Sequence, residues 1–157
     1  MTATSNAADY LALEDLIVAR LQAETAMPDR QVLTAPDIEE VEEQQQTTPA
    51  YHVIYAGDRA AGGARGVAAN ARAQVVEQLW LVVVAVKNVR KVRRGKAARE
   101  DAGPWVTEAI AALQGWKPAS GYSHVQRDLS APPAAYQAGY FYVPTLWAVT
   151  FSTVGTG

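Results

Sequence analysis

The chain has 157 residues, 49% apolar and 19% charged, the balance of an ordinary soluble globular protein built on one core. It has no cysteine, which excludes a disulfide framework and any thiolate metal site. No apolar run approaches the ~20 residues that cross a bilayer, and Met1 to Asn6 lack the basic and apolar regions of a secretory signal, so a reducing cytoplasm is the expected setting and no membrane partner is expected.

Residues 1–8 are small and polar and are expected to fray. From Asp9, read as an N-cap, apolar residues recur at Tyr10, Leu13, Ile17 and Leu21, with Leu16 and Val18 beside them. That spacing predicts a helix over 9–25, stopped before Pro28. Gln31 to Ala35 alternates weakly and reads as an edge strand. Pro36 to Val41 reads as a short acidic helix or turn with Asp37 as its cap, and Gln44 to Thr48 as a polar spacer.

A strand is predicted over 50–56, ended by Gly57-Asp58. Glycine and alanine dominate residues 57–71, which predicts a mobile loop. The chain then enters Gln74 to Val86, where valine, leucine and tryptophan follow one another without Gly or Pro. Beyond Gln78 alternation is lost, as in a strand covered on both faces. At about 3.3 Å per residue it would span on the order of 40 Å, long for a strand, and it is placed at the centre of the sheet. An antiparallel hairpin of 50–56 on 74–86 is the simplest pairing.

Ala98, Ala102, Trp105, Val106, Ala109, Ile110 and Leu113 form an amphipathic stripe, predicting a helix over about 96–114 that Gly103-Pro104 kinks or starts and that Gly115 and Pro118 end. Residues 122–129 alternate as a strand, Pro132-Pro133 forces a turn, and Tyr140 to Val154 is the last strand. Its odd positions from Phe141 to Phe151 face the core, while Tyr140, Thr150 and Ser152 face out. Pro144 cannot donate to a ladder, so the strand is an edge there or carries a bulge. The fold class is α+β: a mainly antiparallel sheet with two main helices on one face, in a single domain spanning 1–157.

The net charge of −2 hides a division along the chain. Residues 1–43 hold ten acids against Arg20 and Arg30, while seven of the fourteen basic residues fall between Lys87 and Arg99. The candidate interface residues are therefore Lys87, Arg90, Lys91, Arg93, Arg94 and Lys96 on one side and Asp37, Glu39, Glu40, Glu42 and Glu43 on the other. Contact between the acidic patch of one copy and the basic segment of the next is the favoured reading. Salt-sensitive contact with nucleic-acid phosphates and plain solvation are the alternatives, and the absence of an aromatic among the cations counts against the first.

Nothing in the chain carries the spacing of a catalytic, cofactor or metal site. His52 and His124 each stand alone in strand patterns, without a second ligand at metal spacing. Gly62-Gly63-Ala64-Arg65-Gly66 matches no phosphate-binding loop, and no nucleophile elbow occurs. No catalytic, cofactor or metal residues are assigned, and the chain is not expected to be an enzyme.

Several short phrases carry a resemblance. These are Leu16-Ile17-Val18-Ala19-Arg20-Leu21, Thr48-Pro49-Ala50-Tyr51-His52-Val53, Glu77 to Val84 ahead of an Asn88-containing basic turn, Leu113-Gln114-Gly115-Trp116-Lys117-Pro118, and Tyr140-Phe141-Tyr142 entering the final strand. Taken together, over about 10 to 152, they resemble the tail terminator, or tail completion, proteins of long-tailed bacteriophages, near the minor tail proteins of Mu-like phages. The resemblance implies a structural virion protein made in the host cytoplasm and seated at the tail–neck junction. It implies a homo-hexameric ring that caps the tail tube, halts its polymerisation and offers a joining surface to a neck or head-completion protein. Passing DNA would lie near such a ring. No cofactor and no catalytic residue come with the family.

Overall fold

The structure is a computed structural model that describes residues 6, 8–43, 47–61, 72–88 and 96–156. Its middle strand is β3 (Ala73–Lys87), which pairs antiparallel with β2 (Ala50–Ala60) on one side and with β6 (Tyr140–Val154) on the other. β1 (Val32–Thr34) lies along the outer side of β2 and runs parallel to it, Val32 opposite Tyr51. β4 (Gln126–Asp128) and β5 (Ala135–Gln137) share the outer side of β6. The strand order is β1-β2-β3-β6-β4, with β5 also on β6. The sheet is thus mixed but mostly antiparallel, and with its helices the fold is α+β.

Even positions of β3, from Trp80 to Val86, pack with α1 (Leu13–Glu24) and α3 (Lys96–Leu113) in the larger core cluster. Odd positions Leu81, Val83 and Ala85 join Ile54, Tyr142 and Leu146 in a smaller cluster on the opposite face, under Val41 of α2 (Ile38–Glu43). Both faces of the central strand are covered, which is why its sequence does not alternate. On β6 the odd positions Phe141, Trp147, Val149 and Phe151 do face the helices, as their period predicts.

Several boundaries differ from the sequence reading, each for a local reason. α1 begins at Leu13, because Asp9 accepts a hydrogen bond from Leu11 N–H (2.9 Å) and so closes a turn ahead of the helix instead of capping it. α3 runs unbroken from Lys96 through Pro104, whose position is exposed. The expected loop over 57–71 is corrected at its start: β2 continues to Ala60, while 62–71 lie outside the described residues, as do 1–5 of the expected frayed end. A β-bulge makes that extension, with Ala56 as the extra residue between the Tyr55–Trp80 and Gly57–Leu79 pairs and Gly57 at φ +106°. The bulge switches faces: Tyr51, Val53 and Tyr55 point to the helices, but Arg59 pairs with Glu77 on the opposite side. The strand expected over 122–129 shrinks to 126–128, since Val125 instead exchanges backbone bonds with Gly115 and Trp116 just past α3. β5 has no counterpart in the sequence reading. It turns into β6 through Ala138 and Gly139, at φ 51° and 84°, the paired left-handed residues of a two-residue hairpin. Pro144 falls between the stretches that β5 and β4 cover, so β6 is an edge where it lacks a donor.

Two polar side chains, Gln78 and Thr145, are buried beside the central pair of indoles. Trp80 and Trp147 are cross-strand partners, and both are buried. Trp80 Nε1 donates to Gln78 Oε1 (2.8 Å), and Gln78 Nε2 donates to the Tyr10 carbonyl (3.1 Å). Trp147 Nε1 donates to Thr145 Oγ1 (2.8 Å), which donates in turn to the Val82 carbonyl (2.8 Å). Gln78 is wholly buried.

Replacing Thr145 by Val keeps the shape but orphans the Trp147 N–H, so a loss of about 1–3 kcal/mol at unchanged m-value is expected in urea unfolding. Replacing Val82, which is fully buried, by Asp buries an unpaired charge whose cost of several kcal/mol rivals the whole stability of a domain. No cooperative transition should remain by circular dichroism.

Candidate functional site

At the Lys87 end of the sheet, β3 hands the chain from its most buried element to its most basic one. Lys87 is exposed, and Asn88 N–H donates to Gly139 of the β5–β6 turn (2.7 Å). Arg90, Lys91, Arg93 and Arg94 lie outside the described residues. Beyond them Lys96, at the start of α3, stands 3.7 Å from Glu100, an exposed pair worth little. Arg99 Nη1 donates to the Tyr136 hydroxyl (2.9 Å), and the Tyr136 ring stacks on Phe141 at 4.3 Å. This contact fixes α3 against the β5 hairpin. An open cleft of about 490 Å³ lies beside it, lined by Thr48, Pro49, Val86, Lys87, Asp101 and Trp105.

Asp37 caps α2 as expected, accepting from Glu40 N–H at 2.8 Å. Glu39 and Glu40 are exposed, and Val41 is the buried anchor; the side chains of Glu42 and Glu43 are not described. The described members of the two charged sets lie apart on the fold. The acidic one rides on the β1–β2 side of the sheet, and the described basic residues sit where β3, α3 and the β5–β6 turn meet.

His52 lies beneath the acidic helix, 5% exposed, facing a small pocket with Leu33, Thr34, Glu40 and Val41. Burial pushes its pKa from 6.5 down to about 4, so it is neutral at physiological pH. The other histidine, His124, is exposed beside β4. Among the described residues no group of three or more His, Asp and Glu could hold a metal ion, and no helix is long and apolar enough to cross a membrane.

A charged strap that the sequence reading missed crosses the face opposite the helices. Arg59 on β2 bonds Glu77 on β3 and reaches Asp128 on β4 (2.8 Å). Asp128 is held down to about 2 by the Ser130 hydroxyl and N–H, then by Arg59. The Asp-x-Ser spacing was the available signal. Arg59 could not be placed without the bulge, which alone aims it at this face.

These surfaces offer charge, edges and shallow clefts and no assembled catalytic group. A family model described as phage tail terminator protein matches residues 7–155, nearly the whole chain. The chain belongs to the phage tail terminator family. None of the curated proteins matches it. Tail terminators are structural, non-catalytic tail proteins, and as a member this chain is a virion component that interacts with other tail or neck proteins.

His52 gives this tail terminator a pH dependence. Its folded pKa lies below the unfolded value, so the stability it carries is complete above about 6.5 and is lost as pH falls towards 4. Urea titrations at pH 7 and pH 5 should differ by about 2 kcal/mol from this group, and His52→Gln should flatten that part of the profile.

Proposed function

We propose that this tail terminator closes into a hexameric ring on the last ring of the tail tube, stops tube growth there and presents the surface to which the neck or a head-completion protein joins. Family membership over residues 7–155 supports the reading. The observation in the fold that favours it is that the two edges of the sheet differ. One carries β1 and the acidic α2, the other β4, β5 and the hairpin beside the basic segment. Unlike edges make head-to-tail contacts, the kind that close rings, whereas a two-fold dimer would use one surface twice.

Within that ring, the acidic residues of α2 in one subunit face the basic segment 87–99 of the next. Charge of opposite sign at the contact sets register and speeds encounter, and raised salt weakens it. Electron microscopy of the protein mixed with tail tubes should show six-fold rings at tube ends, and adding it to polymerising tube subunits should shorten the tubes. Arg93→Ala with Arg94→Ala should leave the thermal transition in place and reduce ring formation. An assembled structure with residues 37–43 and 87–99 of neighbours more than about 8 Å apart, a Debye length at physiological salt, would remove the charge pairing and keep the ring.

A further inference from the structure

Beyond Val53 the outer side of β2 is bare among the described residues. β1 ends opposite Val53, and the last bond on that side is from Ala35 N–H to the Val53 carbonyl (3.2 Å). From Tyr55 to Ala60 the backbone of the strand pairs with β3 alone among the described residues, and five of its six residues are exposed. A row of backbone donors and acceptors left open in this way is a template for another strand. Charged side chains such as Asp58 on an edge discourage unspecific strand pairing.

The far edge of the same sheet has a matching outline. Through the ladders, Asp128 on β4 lines up with Leu146, Leu81 and Ile54, and Gln126 with Ala148, Leu79 and Gly57. β4 is therefore level with the start of the bare stretch of β2. By the same ladders β1 is level with residues 143–145, the gap at Pro144 that β4 and β5 leave open. A strand protrudes on one edge where the other is notched. Directions agree as well: β2 and β6 run the same way and β4 runs against them, so a second copy in the same orientation brings its β2 antiparallel to β4.

We propose that neighbouring copies of this chain join their sheets edge to edge, the Tyr55–Ala60 edge of β2 in one adding to β4 in the next. At that join Arg127, which shares the helix face with Trp147, stands opposite Tyr55, with Asp58 diagonal to it on the same face. Diagonal neighbours on an antiparallel pair lie about 7–8 Å apart, within reach of an arginine. Beside β4 a groove of about 530 Å³, lined by Gln114, Gly115, His124 and Arg127, receives the Tyr55 ring, which is 36% exposed in the single chain. Main-chain bonds supply affinity there, and the groove and the charges supply selectivity. This rests on the ring reading and names its contact.

The chain has no cysteine, so a cysteine pair can be read without background. Tyr55→Cys with Arg127→Cys in one chain, treated with a short bis-maleimide under ring-forming conditions, should give a ladder of cross-linked species. Mixing the two single variants should give dimers only, and either alone should give none. Asp58→Arg or Arg127→Asp should raise the concentration needed for assembly about tenfold while the melting transition stays, and combining them should restore it. Rings that form normally without a ladder, and without response to the charge changes, overturn the edge contact and leave the ring standing. A chain that stays monomeric at every concentration, on tubes as well as in solution, overturns both.

Discussion

The pairing of Trp80 with Trp147 across β3 and β6 sets the terms for everything around it. Two indoles buried side by side bring a large apolar area into the core, and each also brings an N–H that cannot be left without an acceptor. The chain supplies each acceptor two residues upstream on the same face, Gln78 for one and Thr145 for the other. Those acceptors reach further: Gln78 to the Tyr10 carbonyl, Thr145 to the Val82 carbonyl. The first ties the segment before α1 to the middle of the sheet. The second ties β6 to β3 beside their backbone ladder. The helices then close over indoles whose N–H groups are already satisfied, with Arg20 of α1 donating to the Ala112 carbonyl at the end of α3 (2.9 Å) and lying over Trp116.

The parts legible in the sequence are those that burial dictates over many residues. β3 announces itself by losing its alternation, β6 by the large apolar residues at its odd positions, α1 and α3 by apolar residues at intervals of three and four, and α2 by the Asp37 cap. The misses are places where one residue, or one distant partner, decides. Nothing near Gln78 says that its amide will be enclosed by an indole and a carbonyl from residue 10. Nothing near Ala56 says that it is counted twice against β3. The short strand β5 exists because Ala138 and Gly139 take left-handed backbone and fold it onto β6, and an alanine is an unusual choice there. β1 runs parallel to β2 because the chain between them passes through α2 before returning, which leaves no tight hairpin to force the opposite sense.

The candidate surfaces show the same division. Charge asymmetry along the chain pointed to the acidic helix, since a run of like charges is local information. Arg59, Glu77 and Asp128 are three charges from three strands, and only the folded sheet makes them neighbours. Their strap lies over the open end of the face that α2 leaves uncovered, where Leu79 is only partly buried. A face with little helical cover is thus tied together by ions, while the other face is packed by two helices.

The bulge at Ala56 divides β2 into two strands of different duty. From Ala50 to Ile54 every residue is buried, and a change of side chain is felt by the core on one face or the other. Outboard, the register has been reset, and the residues from Asp58 onward lie exposed at the edge of the sheet. One extra residue therefore lets a single continuous strand serve the core along one part and lie at the exposed edge of the sheet along the other.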